Sequence, residues 1–232
     1  MTTDYTDYEQ YPKTLPRDDF WGQVRRTIYG RRVTEEELAV IVAAIEDRLR
    51  LTSNDGLLDL MCGNGALTAR LFNSCQSVLG IDLSGYLIEI AKEYFEKPPQ
   101  YVFAEEDVLT YVRNEPEPHR FTKVLIYGAL PLLPVDGVQS LLSELRRRFT
   151  NVERLVLGNL PDRGRAHLFF GDDFEEQRPD LADPTSQIGV WWSEKDMHEL
   201  AAACGWRASF YQLPTHVFNA HYRYDAVLQP DG

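Results

Sequence analysis

Cysteine is scarce and scattered in this 232-residue chain: Cys62, Cys75 and Cys204 are all there is. No Cys-x-x-Cys pair and no Cys/His metal spacing occurs, which argues against a disulfide scaffold, a zinc module or any other metal site. The three read as small buried residues in a reducing compartment. Long apolar runs are missing too; none approaches the ~18 residues of a membrane-crossing helix. The opening Met1-Thr2-Thr3-Asp4 is polar and acidic, unlike a secretory signal. Basic charge is in short supply, 24 Lys and Arg against 36 Asp and Glu, for a net −12. A phosphate-backbone partner is therefore disfavoured. The one dense basic run, Arg146-Arg147-Arg148, falls in the last turn of an expected helix, where it complements the helix dipole. These absences lead us to expect a cytoplasmic protein, monomer or homodimer, with no nucleic-acid and no membrane partner.

What is present is organised around residues 56–65, Gly-Leu-Leu-Asp-Leu-Met-Cys-Gly-Asn-Gly. The apolar run reads as a buried strand ending in a turn of small residues, where the backbone can approach a ligand. Ala66, Leu67, Leu71 and Phe72 follow at helical spacing, so a helix is expected over 65–73. Strand, glycine turn and helix start form a corner suited to a nucleotide. A second apolar strand ends on Asp82, roughly 20 residues past the glycines, where a carboxylate takes ribose hydroxyls.

From residue 56 strands and helices alternate. Strands are expected near 56–61, 77–82, 100–104, 121–127 and 152–160, and further helices near 84–96, 107–113 and 136–149. Such repetition predicts a parallel sheet with helices on both faces. Upstream, Asp18 or Asp19 starts a helix expected to run to about Gly30, and Thr34-Glu35-Glu36-Glu37 is a capping box opening a second. Tyr5, Tyr8 and Tyr11 recur every third residue in a tail that reads either as mobile or as an aromatic strap over a ligand. We therefore divide the chain into a tail and helical cap (1–50) and a main domain (51–232). Residues 161–190, rich in Asp, Glu, Gly and Pro, form an insertion near the site, with a short helix at 166–170. Ser193 caps a last helix, and strands near 206–213 and 219–228, joined by a turn, must pair antiparallel. The expected fold is α/β: a seven-stranded, mostly parallel Rossmann-like sheet with an antiparallel last strand, helices on both faces and an N-terminal helical cap.

Leu58-Asp59-Leu60-Met61-Cys62-Gly63-Asn64-Gly65, Gly80-Ile81-Asp82-Leu83-Ser84 and Phe103-Ala104-Glu105-Glu106-Asp107-Val108, in that order and with an antiparallel ending, resemble the S-adenosylmethionine-dependent methyltransferases of the Rossmann-like class. One departure stands out: Met61 occupies a place where that family usually has glycine. The resemblance implies S-adenosylmethionine as cofactor and S-adenosylhomocysteine as product. It implies donor contacts from Asp59, Cys62, Gly63, Gly65, Asp82, Leu83, Asp107, Val108 and Tyr127. Asp59 either organises the loop or meets the amino-acid end, while Asp82 and Asp107 contact ribose and adenine or merely cap the helices that follow. The rival is a nicotinamide-dinucleotide oxidoreductase, whose third small residue is replaced here by Thr68.

Methyl transfer needs alignment, exclusion of water and sometimes a base. The fourth strand ends Ile126-Tyr127-Gly128-Ala129-Leu130-Pro131, lacking the Asn/Asp-Pro-Pro of nucleobase-methylating relatives, the acids of metal-dependent ones, and the histidine of many small-molecule ones. Tyr127 is the polar group left to sit beside the sulfonium. Asn219-Ala220-His221-Tyr222-Arg223-Tyr224-Asp225-Ala226, Phe20-Trp21-Gly22 and Trp191-Trp192-Ser193 are similar to a subgroup acting on small molecules, some encoded with sugar or natural-product genes. His221 is thus the candidate base, and Tyr8, Trp21, Arg25, Asn159, Trp192 and His216 the candidate acceptor contacts. The expected reaction is methylation of an oxygen or nitrogen of a small polar metabolite in a biosynthetic route. A fold relative that binds or rearranges the donor without methyl transfer is the alternative.

Overall fold

The computed structural model describes residues 8–28, 31–171, 174–217 and 219–231. Tyr5 and Gly30 fall outside them. In chain order the elements are α1 (Phe20–Gln23), β1 (Thr27–Ile28), β2 (Arg31–Arg32), α2 (Glu35–Leu49), β3 (Gly56–Leu60), β4 (Ser77–Asp82), α3 (Gly85–Tyr94), β5 (Tyr101–Glu105), α4 (Val108–Asn114), β6 (Lys123–Tyr127), α5 (Val135–Arg148), β7 (Arg154–Pro161), α6 (His167–Phe170), α7 (Phe174–Gln177), α8 (Glu194–Ala203), β8 (Trp206–Tyr211) and β9 (Arg223–Pro230).

The seven long strands form one sheet in the order β5-β4-β3-β6-β7-β9-β8. Only β9 runs against its neighbours, pairing antiparallel with both β7 and β8. Every residue of β3 is buried, as a continuous apolar run in a two-sided parallel sheet demands. Successive residues serve opposite faces. Leu58 and Leu60 join the core under α4, α5 and α8, while Leu57 joins the core under α2 and α3. The chain crosses from β5 back to β6 beside β3, so the order reverses there. In such sheets ligands settle outside the carboxyl ends of the strands at that point.

Local chemistry sets the helix starts. Thr34 Oγ1 accepts the Glu37 amide at 3.2 Å while Glu37 accepts the Thr34 amide at 2.9 Å. Ser193 and Asp196 repeat that box before α8. Ser84 and Asp107 cap α3 and α4 through the Leu87 and Thr110 amides.

Two expectations are corrected. The first helix stops at Gln23 instead of running on toward residue 30, because Arg25 turns into the left-handed region at φ 52° and the chain then enters a β-ribbon. The segment after the glycine corner, expected as an α-helix over 65–73, is a 3₁₀ turn over Thr68–Ser74. A separate aromatic cluster brings the Phe169 ring centre to 5.8 Å from that of Trp191 and 5.3 Å from that of Tyr222. No helix among the described residues is long and apolar enough to cross a membrane.

Candidate functional site

A cavity of about 1400 Å³ opens at the carboxyl ends of β3, β4, β5 and β6. That exceeds the ~300–1,000 Å³ of a pocket for one small-molecule ligand.

The glycine corner forms one wall. At its start Met61 takes φ 60°, a left-handed conformation that side chains seldom adopt. This accounts for glycine at the corresponding place in the resembling family. Gly63 (φ 59°) lines the cavity, and its amide donates to Asp82 Oδ2 at 2.7 Å. The Ser84 amide donates to Oδ1 at 2.9 Å, so the corner and the start of α3 fix both carboxylate oxygens. Burial raises the Asp82 pKa despite these bonds. Asp59 is buried more deeply: Thr68 Oγ1 donates to it at 2.6 Å, yet desolvation pushes its pKa to about 7. Cys62 lines the same wall, with its thiol pushed up by burial.

Leu83 is 69% exposed beside these groups, an apolar surface on the cavity wall. Glu105, Glu106, Asp107 and Val108 complete an acidic wall. Asp107 Oδ1 is spent on the Thr110 amide at 2.8 Å.

The opposite part of the cavity comes from segments distant in sequence. Tyr8, Tyr11, Trp21, Arg25 and Arg26 arrive from the N-terminal region; Tyr127, Asn159, His221 and Arg223 from the sheet and the approach to β9; Leu168, Phe169, Phe170 and Ile188 from the segment between β7 and α8. Tyr127 and Tyr8 both have phenols raised by burial, so each keeps its proton. The Arg26 guanidinium lies 5.1 Å from the Tyr127 ring centre and that of Arg25 3.7 Å from the Tyr11 ring centre. Asn159 sits at φ 60°, its amide donating to Asp225 Oδ1 at 2.6 Å and its carbonyl accepting Arg223 Nη1 at 2.6 Å. Asp225 in turn pairs with Arg48 of α2, which ties this wall to the helix behind it.

The N-terminal segment crosses the mouth between the two parts. Ser84 Oγ donates to the Tyr8 carbonyl at 3.0 Å, and Asn64 Nδ2 donates to the Phe20 carbonyl at 2.8 Å. Arg17 pairs with Glu93 of α3.

Three expected site residues lie elsewhere. Gly65 does not line the cavity; at φ 72° a Cβ there would come within 2.7 Å of the Phe103 ring, so glycine serves packing. Trp192 is buried in the core beneath α5 and α8, and its neighbour Trp191 joins the aromatic cluster of Phe169 and Tyr222. His216 sits on an exposed turn away from the cavity. The other expected residues converge on the cavity, with His221 exposed at its edge. Sequence reading missed Arg26, Arg223 and Phe169. The only linear hint was two charges, Arg223 and Asp225, alternating into one face of a strand whose other face is apolar. Among the described residues no cluster of His, Cys, Asp and Glu could hold a metal ion.

Comparisons with known proteins agree with this fold. Residues 57–151 match the family described as a methyltransferase domain. An uncharacterized methyltransferase of Schizosaccharomyces pombe is 49% identical over 49 residues, 21% of this chain and 19% of that one. A second from the same yeast is 35% identical over 66 residues, 22% of this chain and 23% of that one. The matched segment thus spans about a fifth of these curated relatives. Two folds are similar: an S-adenosylmethionine-dependent methyltransferase from Clostridium acetobutylicum (TM-score 0.64, 13% identity, 91% of this chain and 98% of that one) and magnesium protoporphyrin IX methyltransferase from Synechocystis with bound S-adenosylhomocysteine (0.62, 18%, 94% and 99%).

Proposed function

This chain carries a methyltransferase domain of the S-adenosylmethionine-dependent, Rossmann-like class, and we propose that it methylates an oxygen or nitrogen of a small polar metabolite. The observation that carries the reading is the division of one cavity into an acidic part and a part lined by aromatics and arginines. The residues fit the donor. Asp82 is pre-aimed by two amides and has lone pairs left for ribose hydroxyls; exposed Leu83 offers an adenine face; Asp107 and Val108 stand at its edge. An acidic wall suits a ligand carrying sulfonium and ammonium charges.

When bound, the donor supplies a methyl group activated by the sulfonium. The chain's part is to align, to exclude water and to handle the proton that the acceptor loses. Tyr127, its phenol kept protonated by burial, acts through its ring, whose face attracts a cation. It is not the base. His221, at the cavity's edge, is the imidazole positioned for that role. The crossing N-terminal segment, with Tyr8 and Tyr11 on its inner side, closes over both ligands. In this reading the protein works in the cytoplasm on a free small molecule.

The test uses S-adenosylmethionine labelled in the methyl group, incubated with pooled hydroxyl- and amino-bearing metabolites. Label should move to an acceptor as S-adenosylhomocysteine accumulates. Release of a non-methyl product from the donor alone would favour donor rearrangement and overturn methyl transfer.

A further inference from the structure

Two cations in the aromatic part of the cavity have nitrogens with no hydrogen-bond partner among the described residues. Arg26 as a residue is half-buried, but its guanidinium is enclosed and Nη1 has no partner. Arg223 is buried; Nη1 is spent on the Asn159 carbonyl, while Nε has no partner. Both line the cavity. Neither is in a salt bridge with any described carboxylate, and burial, with Arg223 nearby, disfavours the charge on Arg26. The acid nearest in effect, Asp59, is hydrogen-bonded to Thr68 and resists ionisation below about pH 7. Burying two like charges without a counter-charge is costly, and structures that keep such charges have a use for them.

An oxyanion resolves this: guanidinium groups present forked donors matching carboxylate or phosphate oxygens. Aromatic surface adjoins the pair: the Arg26 guanidinium lies 5.8 Å from the Trp21 ring centre, and that of Arg223 5.1 Å from the ring centre of Tyr222, which packs on Phe169. We infer that the acceptor is an acid, a compact oxyanion seated on Arg26 and Arg223 with an apolar or aromatic body against Trp21 and Phe169. This rests on the methyltransferase reading, and it narrows the acceptor class. It also fits the overall charge: in a chain of net −12, attraction of an anion has to be built locally.

The donor's own carboxylate competes for the same cations, so the test separates the two. Wild-type protein saturated with S-adenosylhomocysteine is titrated calorimetrically with benzoate, phenyl phosphate and benzamide. One or both anions should bind about tenfold or more tightly than the neutral amide, and the stronger of the two identifies the oxyanion. Arg223→Gln should abolish the preference while leaving S-adenosylhomocysteine affinity within about threefold; Arg223→Lys should retain part of it. Equal binding of anions and amide by the wild type overturns the inference without any variant. So does a preference surviving in both Arg26→Gln and Arg223→Gln, or variants that weaken S-adenosylhomocysteine alone, which would assign the cations to the donor. Failure of S-adenosylhomocysteine to bind at all strikes the methyltransferase reading itself, and is seen in the loading step before any acid is added.

Discussion

In one part of the cavity the contacts come from residues 59 to 108, from strand ends in register and the short turns after them. In the other they come from residues 8–27, 127–133, 159, 168–188 and 219–223, and no two of those segments are neighbours in the sequence. The first part is acidic, its carboxylates already held by backbone amides and a threonine. The second is aromatic and cationic, with guanidinium nitrogens still lacking partners. A donor shared by a whole fold class suits a site written into local backbone geometry. An acceptor particular to one protein suits a site assembled from loops, which change without disturbing the sheet.

The largest effect should come from attacking the donor side alone. Asp82→Ala removes charge-assisted bonds worth ~1.5–3 kcal/mol each, so S-adenosylhomocysteine should bind about 10³-fold more weakly by calorimetry. Acid binding should change far less.

Asp59 gives the next. Its carboxyl holds a proton to about pH 7 when folded, against an ordinary 3.8. The unfolded chain therefore ionises first, and folding stability falls as pH rises from ~4 to ~7 and is flat above, a loss on the order of 4 kcal/mol. Asp59→Asn keeps an acceptor for Thr68 and should flatten that slope in chemical denaturation across the same window. An unchanged slope would mean that burial strains some other group.

Gly158→Ala probes the boundary between the parts. A Cβ there would stand 2.1 Å from the Tyr127 ring, so the ring must shift. Overpacking of this kind costs about 2 kcal/mol, or roughly 4–8 °C in melting temperature for a chain of this size. Both ligands should lose affinity, since Tyr127 borders both.

The smallest effect should confine itself to the acceptor side. Phe169→Ala should raise the acceptor KM about tenfold and leave S-adenosylhomocysteine affinity within about twofold. A matching loss of donor affinity would show that the two parts are not separable.

The same division explains what could be read from the chain. β3 and β4 were legible because each is a short apolar run ending in a turn, and Asp82 because its distance from the glycines is a local quantity. The capping box at Thr34 and the cap at Ser193 are read within four residues. Met61 at φ 60° was not legible, because nothing in a methionine announces left-handed backbone. Gly65 was misread because a glycine needed to clear Phe103 looks the same as one needed to admit a ligand. Arg26 passed unnoticed inside a stretch expected to be helical, and Trp192 was assigned to the acceptor although its side chain packs into the core beneath α5 and α8. Convergence of residues 26, 169 and 223 is a tertiary fact with no linear signature.

A crystal structure with S-adenosylhomocysteine tests the central claim most directly. The account predicts the ribose hydroxyls on Asp82, adenine on Leu83 beside Asp107 and Val108, and room left over between Trp21, Phe169 and Arg223. S-adenosylhomocysteine lying among the arginines and aromatics, away from Asp82, would contradict it.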